Sequence, residues 1–154
     1  MAGMTDQTLV DTLLSNLLHA STTATWTPGT GGTALTITPP LHLRLYTTTG
    51  TESSSGTECT SGNSPGYTAG GSTMGTNAFA AFSSGAATNS NQVQWTATGT
   101  WTSGVAGIEI WDTSGTPVRI LWGALTTAII ANAVTSGDTI TFAAAAISAS
   151  GATW

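Results

Sequence analysis

The sequence is poor in charged residues. Its 154 residues include two Lys or Arg and seven Asp or Glu, so charged residues make up 6% of the chain, against about a quarter of a typical soluble domain. Lysine is missing altogether. Two arginines cannot neutralise the phosphates that nucleic-acid binding requires, and they cannot form a basic cluster for an anionic membrane. We therefore expect no nucleic-acid partner and no membrane partner.

Cysteine and long apolar runs are also scarce. The single Cys59 excludes an internal disulfide and a cysteine-based zinc site. The longest apolar stretches, near residues 128–134 and 142–147, fall far short of the roughly 20 residues of a membrane-spanning helix. The first residues contain no Lys or Arg and lack the features of a secretory signal. These absences predict a chain without a membrane segment.

Hydroxyl side chains and glycine are abundant instead. Threonine occurs 33 times, serine 16 times and glycine 19 times, so hydroxyl groups take the place of ions at the surface. A net charge of -5 is too small to keep a chain of this length disordered. Together with the Val, Ile and Trp content, this composition favours short strands joined by many turns.

The first 20 residues have a helical pattern. Leu9, Leu13 and Leu17 recur every four residues, with a second apolar column beside them, which places both columns on one helix face. We predict a helix over about residues 6–19, followed by a Ser/Thr/Gly linker, so that residues 1–32 form a helix and linker arm. The apolar stripe must dock either on the chain's own sheet or on a neighbouring subunit.

From residue 33 onward the period changes to two. Leu41, Leu43 and Leu45 alternate with polar neighbours, so a half-buried strand would point the leucines inward. Turn signals separate further candidate strands at regular spacing. We predict that residues 33–154 form an antiparallel β-sandwich or jelly-roll-like domain, mainly β, with the N-terminal amphipathic helix beside it. The candidate strands are 34–38, 41–46, 78–82, 92–96, 107–112, 117–124, 138–142 and 145–150, of which 107–112 and 117–124 form the clearest hairpin.

Residues 47–76 form a long Thr/Ser/Gly segment with few apolar side chains. A loop of this length in a compact domain is usually functional or held by a partner. Glu52 and Glu58 lie in it, but neither has the spacing of a calcium-binding loop.

The residues that carry catalysis are few. The two histidines, His19 and His42, lie near a helix end and on the polar side of a strand, and the carboxylates are scattered. Glu109 and Asp112 are three apart on a predicted strand, which places them on opposite faces. Nucleotide-binding, metalloprotease and calcium-binding motifs are missing from the sequence. We predict a protein that is not an enzyme, with no catalytic residue, no cofactor and no metal site.

Five of the six tryptophans fall into two groups. Trp95, Trp111 and Trp122 fall within predicted strands and are expected in or near the core. Trp101, in a turn-rich segment, and Trp154 are expected to be exposed. If the turn at 113–116 pairs Asp112 with Pro117 or Val118, Arg119 falls close to Trp111, where a cation-π contact is possible.

The lack of lysine also bears on assembly. Soluble sheets protect their edges with lysine and inward-pointing charge, while permanent interfaces are depleted of charge and enriched in aromatic residues. We therefore expect a homo-oligomer, with a trimer as the simplest form. The candidate interface residues are Leu9, Leu13, Leu17, Trp26, Trp101 and Trp154.

Several segments carry a resemblance. Residues 41–47 are followed by a hydroxyl-rich loop with Glu58 and Gly66-Tyr67. Residues 89–95, Trp101 and a strand ending in Trp111-Asp112 come next. The last segments are a strand end with Gly123-Ala124-Leu125 and the turn Ser136-Gly137-Asp138 before a final strand pair. In this order, over about residues 41–150, the chain resembles the small virion proteins of tailed bacteriophages that are labelled tail-fibre or head-decoration proteins.

The resemblance implies a compact β-sandwich without enzymatic activity, made in the host cytoplasm and placed on the virion surface. The first hypothesis is a capsid decoration, or cement, protein on the capsid exterior. It would bind the major capsid protein and stabilise adjacent capsid subunits. The alternative is a tail-tip or tail-fibre module that contacts host surface glycans through Trp101, Trp154 and the 47–76 loop.

Overall fold

The computed structural model describes residues 7–19, 21–27 and 34–150. Helix α1 spans Gln7–Leu14 and continues as one turn of π-helix over Ser15–His19. The predicted N-terminal helix is thus present.

The apolar stripe of this helix docks on the chain's own β-domain. Leu18 is 1% exposed, and Leu14 and Leu17 pack against the core. The amide of Phe82 donates to the Ser15 hydroxyl over 3.0 Å. Of the two alternatives left open by the sequence, the helix therefore packs on its own chain, where it contacts the loop at 79–85.

Ten strands follow, and every pair among them is antiparallel. The predicted mainly β, sandwich-like fold is confirmed. The strands are β1 Ala24–Trp26, β2 Leu35–Ile37, β3 His42–Tyr46, β4 Ser72–Thr73, β5 Ala86–Thr88, β6 Val93–Thr96, β7 Val105–Trp111, β8 Arg119–Ile129, β9 Thr139–Phe142 and β10 Ser148–Ser150.

The main sheet has four strands in the order β4-β3-β7-β8. The register pairs Leu43 with Ile110 and Leu45 with Ile108, so the alternation read from the sequence places these apolar residues on one face. Both leucines are fully buried. This inner face of the main sheet forms one side of the core.

The two-stranded sheets β6-β9 and β5-β10 supply the other side of the core. Trp95 of β6 is buried and its ring packs edge-on against Phe142 of β9, with ring centroids 6.2 Å apart. The buried Asn89 side chain donates to the Ala143 carbonyl and accepts the Ile147 amide, which ties β5 to the segment leading into β10.

The β7-β8 hairpin is confirmed, and its turn is close to the one expected. The Asp112 amide donates to the Val118 carbonyl over 3.1 Å. The Asp112 carboxylate accepts the Val118 amide at 2.7 Å and the Ser114 hydroxyl at 3.0 Å, which fixes the turn. Strand β8 is longer than predicted, and its register against β7 shifts between Val105 and Gly107 and between Ile110 and Trp111.

The predicted strand at 78–82 is wrong. Asn77 and Ser84 have positive φ angles of 53° and 54°, which bend the chain on either side of the apolar run. The segment makes single bridges, such as Phe79 with Asn89, instead of a ladder. Its apolar residues Ala78, Phe79 and Phe82 fill the core from a loop.

Candidate functional site

The outer face of the main sheet carries both arginines of the chain. Because side chains alternate along a strand, Arg44 of β3 and Glu109 of β7, which are register partners, point away from the leucine face. Trp111 pairs with Arg119 and Glu109 with Trp122 on the same outer face. Three of the nine charged residues of the chain are thus gathered on one surface.

Residues 47–71, which we call the clamp loop, cover part of this outer face. The loop comprises most of the hydroxyl-rich segment expected to be functional or held by a partner. It is held by its own chain: a Cβ added at Gly50 would collide with the Glu109 carboxylate, and one added at Gly107 would meet Thr49 at 3.2 Å. Glycine is required at Gly50 because the loop backbone lies directly on the charged groups of the sheet.

Arg119 holds the turn at 51–54. Its guanidinium donates to the carbonyls of Thr51 and Ser54, both at 2.6 Å, and to that of Glu52 at 3.0 Å. The turn is closed by the Thr51 amide, which donates to the Ser54 carbonyl at 2.8 Å. A planar guanidinium presents several donors in a fixed geometry, so one side chain orders three backbone acceptors.

Glu109 lies beneath this turn and is 1% exposed. Its carboxylate pairs with Arg119 at 3.2 Å and accepts the amide of Gly56 at 2.9 Å and the indole N–H of Trp111 at 3.0 Å. A buried carboxylate is tolerated only when it is paired and hydrogen-bonded. Glu109 therefore acts as the anchor that fixes the clamp loop to β7.

A second cluster holds the other end of the clamp loop. Glu58 accepts the Tyr67 hydroxyl and the Gly70 amide, both at 2.7 Å, and lies 3.6 Å from Arg44. The Arg44 guanidinium stacks on Trp111 at 4.6 Å from the ring centroid. His42 donates from its ring to the Gly70 carbonyl at 2.9 Å. His42 thus belongs to this structural network, and no acid-base pair is formed with it.

Both tyrosines of the chain touch these carboxylates, which yields a testable prediction. Burial, and then the Glu109 carboxylate, raise the pKa of Tyr46 above its ordinary value of 10.0; burial and the hydrogen bond to Glu58 raise the pKa of Tyr67. We expect ultraviolet titration to show little tyrosinate in the folded protein near pH 10, while the denatured chain ionises there.

These raised pKa values fix the direction in which the free energy of unfolding changes with pH. The unfolded chain releases its phenolic protons near pH 10 and the folded chain does not, so the free energy of unfolding is at its full value below pH 10 and falls above it. Half-ionisation of both tyrosines near pH 10 in the native protein would contradict this arrangement.

Trp122 is the exposed tryptophan among the four whose side chains the structure describes. It is 44% exposed, whereas Trp101 is 0% and Trp95 is 6% exposed. The Arg119 guanidinium lies 4.9 Å from the Trp122 ring centroid, so Arg119 touches both this ring and the turn at 51–54. We call Trp122, Arg119 and residues 51–54 the Trp122 surface.

The prediction that Trp101 is exposed is wrong. The indole is completely buried and its N–H donates to the Pro65 carbonyl at 2.9 Å. Trp101 is an anchor for the base of the clamp loop, and it is unable to contact a partner. The expectation that Trp122 lies in or near the core is also wrong. Its side chain lies on the outer face of β8 and is exposed.

The other candidate interface residues fall in two groups. Leu13 is half-buried, and Leu17 packs against the chain's own core. Leu9 and Trp26, whose side chains are outside the described part, and Trp154, which lies wholly outside it, stay predictions. The expected cation-π contact also differs in detail: Arg119 is the register partner of Trp111 but stacks on Trp122, and Arg44 stacks on Trp111.

Side chains that could act together in catalysis are few in the part of the chain that the structure describes. Glu109 and Asp112 have separate partners, the clamp loop for one and the hairpin turn for the other. Across residues 7–19, 21–27 and 34–150, no three His, Cys, Asp or Glu side chains come together as metal ligands. No helix within these same ranges is long and apolar enough to cross a bilayer.

A cleft of about 490 Å³ opens along the β8 edge of the sandwich. Its thirteen lining residues carry no charged side chain. One wall belongs to β7 and β8, and the opposite wall to β9, β10 and the segment between them. The lining residues are Ile108, Ile110, Leu121, Trp122, Gly123, Ala124, Leu125, Thr126, Phe142, Ala146, Ile147, Ser148 and Ala149.

The sequence held a signal for the outer-face cluster. Arg44 is one residue from the inward Leu43 and Leu45, and Glu109 lies between Ile108 and Ile110, so period-two counting places both charges on the outer face. Trp122 follows the same rule because it alternates with Leu121. The sequence does not show that the clamp loop binds these charges, since the path of a long loop is set by tertiary contacts.

One comparison with known proteins decides the family. The model described as "Podophage GP4 fiber I protein gp80" matches residues 14–150, which include the main sheet, the clamp loop and the cleft. The chain belongs to this family. No curated protein matches it.

Membership in the gp80 fibre family confirms the resemblance stated from the sequence. The protein is a small phage virion structural protein, tail-fibre-like, and its place is in the virion. The family is one of structural fibre proteins and not a class of enzymes.

Proposed function

We propose that this protein is a tail-fibre subunit that contacts glycans on the host cell surface through the Trp122 surface. The observation that carries the proposal is the exposed Trp122 ring beside a hydroxyl-rich turn that Arg119 holds in place. The family description, which names a fibre protein, favours the fibre hypothesis over capsid decoration.

The chemistry of this surface matches a sugar ring. A pyranose presents an apolar C–H face and polar hydroxyl edges, and an indole offers a flat apolar face with large contact area. Arg119, which stacks on Trp122, also holds the turn of exposed residues Thr51, Glu52, Ser53 and Ser54. The side chains of this turn supply hydroxyl and carboxylate groups for the polar edges. The mixture of one aromatic platform and several short polar groups is typical of a site that binds an amphipathic ligand.

Rigidity adds to the argument. Ordering a free loop on binding would cost conformational entropy, but the turn at 51–54 is already fixed by Arg119, and Arg119 is fixed by the buried Glu109. A surface that is ordered before its ligand arrives loses less free energy on binding.

A glycan array that includes surface polysaccharide of the host bacterium tests the proposal. We expect the wild-type protein to bind, and Trp122→Ala to lose at least about tenfold in affinity, equivalent to 1.4 kcal/mol. Trp122→Phe, which keeps an aromatic face, should retain most of the binding. Ser61→Glu, an exposed change elsewhere on the clamp loop, is the matched control and should bind like the wild type.

Two outcomes would contradict this proposal. One is the absence of binding by the wild-type protein to every host polysaccharide tested. The other is equal binding by Trp122→Ala and the wild type, which would move the contact to another surface.

Capsid decoration stays a prediction, together with binding to the major capsid protein. What supports it is the low charge of the chain and its uncharged cleft, which would suit a permanent interface. Binding of the purified protein to isolated capsids, free of tails, is the outcome that would favour decoration over the fibre hypothesis.

A further inference from the structure

We propose that the uncharged cleft along β8 is the docking site for a second copy of this chain. The cleft and the exposed end of β8 would together form the subunit interface of the fibre protein. The proposal concerns assembly and does not depend on the Trp122 surface binding a glycan.

Strand β8 is an open edge. It has one hydrogen-bonded neighbour, β7, in the described sheets, and residues 120–137 contain no charged side chain. Natural edge strands are normally protected by lysine, by charge or by bulges. The register shifts of β8 provide bulges, which disfavour simple strand addition and leave side-chain packing as the mode of contact.

A protrusion and a recess lie on the same edge. Gly123, Leu125 and Thr126 line the cleft, and Ile130 follows directly after β8 with 74% of its surface exposed. A chain that presents both an exposed isoleucine and an uncharged cleft offers each to a copy of itself, as the interfaces of homo-oligomers require.

The charge and the extent of this surface favour a copy of the chain over an unrelated protein. An average protein surface is rich in charge, which an uncharged cleft would leave unpaired, whereas this chain has 6% charged residues. The thirteen lining residues and the exposed, mostly Ala and Ile residues at 128–133 and 143–145 approach the roughly 20 residues that each partner contributes to a stable interface.

Size supports the same conclusion. A compact domain of 154 residues has a radius of gyration of about 15 Å. One such globule is no fibre by itself, so a protein of the fibre family has to associate, and an uncharged edge with a cleft is the surface best suited to it.

Sedimentation equilibrium of the purified full-length chain tests the proposal with three variants. Ile130→Glu places a charge on the protrusion. Gly123→Arg places a charged side chain in the recess. A Cβ at Gly123 meets no atom within 4 Å, and circular dichroism checks that the variant keeps its fold. Ser61→Glu adds a charge at an exposed position of the clamp loop and serves as the control.

We expect the wild type and Ser61→Glu to sediment at a multiple of the monomer mass, and both interface variants to sediment as folded monomers with unchanged circular dichroism. A threefold mass would agree with the trimer expected from the sequence. A wild-type chain that stays monomeric at its highest soluble concentration, or an interface variant that keeps the wild-type mass, overturns the proposal. Trp122 itself lines the cleft, so the glycan array is repeated with Ile130→Glu, which leaves that ring unchanged. A monomeric Ile130→Glu that still binds glycan separates the interface from the glycan surface.

Discussion

Replacing Trp101 with alanine should destabilise the protein by about 3–5 kcal/mol, the usual cost of removing a large aromatic side chain from a core. The indole is completely buried, and its N–H bond to the Pro65 carbonyl would be lost as well. We expect urea unfolding of Trp101→Ala to show a lower midpoint with a similar slope.

Trp122→Ala is the matched control for this change, because it removes the same side chain from an exposed position. We expect it to cost less than about 1 kcal/mol, as is usual for surface substitutions. Equal destabilisation by the two variants would contradict the burial described for both side chains.

Replacing Arg119 with methionine should cost about 3–5 kcal/mol, because it leaves the buried Glu109 carboxylate without its cation. It should also release the turn at 51–54, whose three carbonyls Arg119 binds. We expect a lower urea midpoint, and faster amide hydrogen exchange in residues 50–57.

Arg44→Met provides the comparison for this prediction. The Arg44–Glu58 pair is longer, at 3.6 Å, and its glutamate side chain is 23% exposed against 1% for Glu109. Pairs with access to water contribute about 0–1 kcal/mol, so Arg44→Met should be the milder change. A larger loss for Arg44→Met than for Arg119→Met would show that burial of Glu109 does not control the energetics of the outer face.

The strand pattern was the most predictable part of the structure. Alternation at Leu41, Leu43 and Leu45, and at Ile108 and Ile110, reports directly which face of a strand meets the core, and turn residues reported the β7-β8 hairpin. The N-terminal helix was equally readable from its leucines. What failed was the segment 78–82, where an apolar run fills the core from a loop.

The burial of two tryptophans differs from what the sequence predicts. Trp101 lies in a Thr/Gly-rich stretch that is typical of exposed turns, yet the chain crosses the core at that point, with Pro65 of the clamp loop as its partner. Trp122 lies in a strand, but on the outer face at an open edge. The burial of Trp101 depends on which distant segments pack on it, and local pattern carries no information about that. The outward position of Trp122 follows from its alternation with Leu121.

The clamp loop illustrates the same limit in the charged residues. Nine charges in 154 residues leave room for few ion pairs, and period-two counting places Arg44 and Glu109 each on the outer side of its own strand. The hydrogen bonds from Arg119 to three carbonyls of residues 51–54 could not be predicted. They join positions more than 60 residues apart in the sequence. The surface we assign to glycan binding was therefore visible only in the fold.

Location in the virion tests the account most directly. Electron microscopy of phage particles, labelled with gold-conjugated antibody against this protein, reports where it sits. The fibre assignment predicts gold at the tail, absent from the head surface, and lost from particles that lack this protein. Gold spread over the capsid exterior, with none at the tail, would contradict the account and favour decoration.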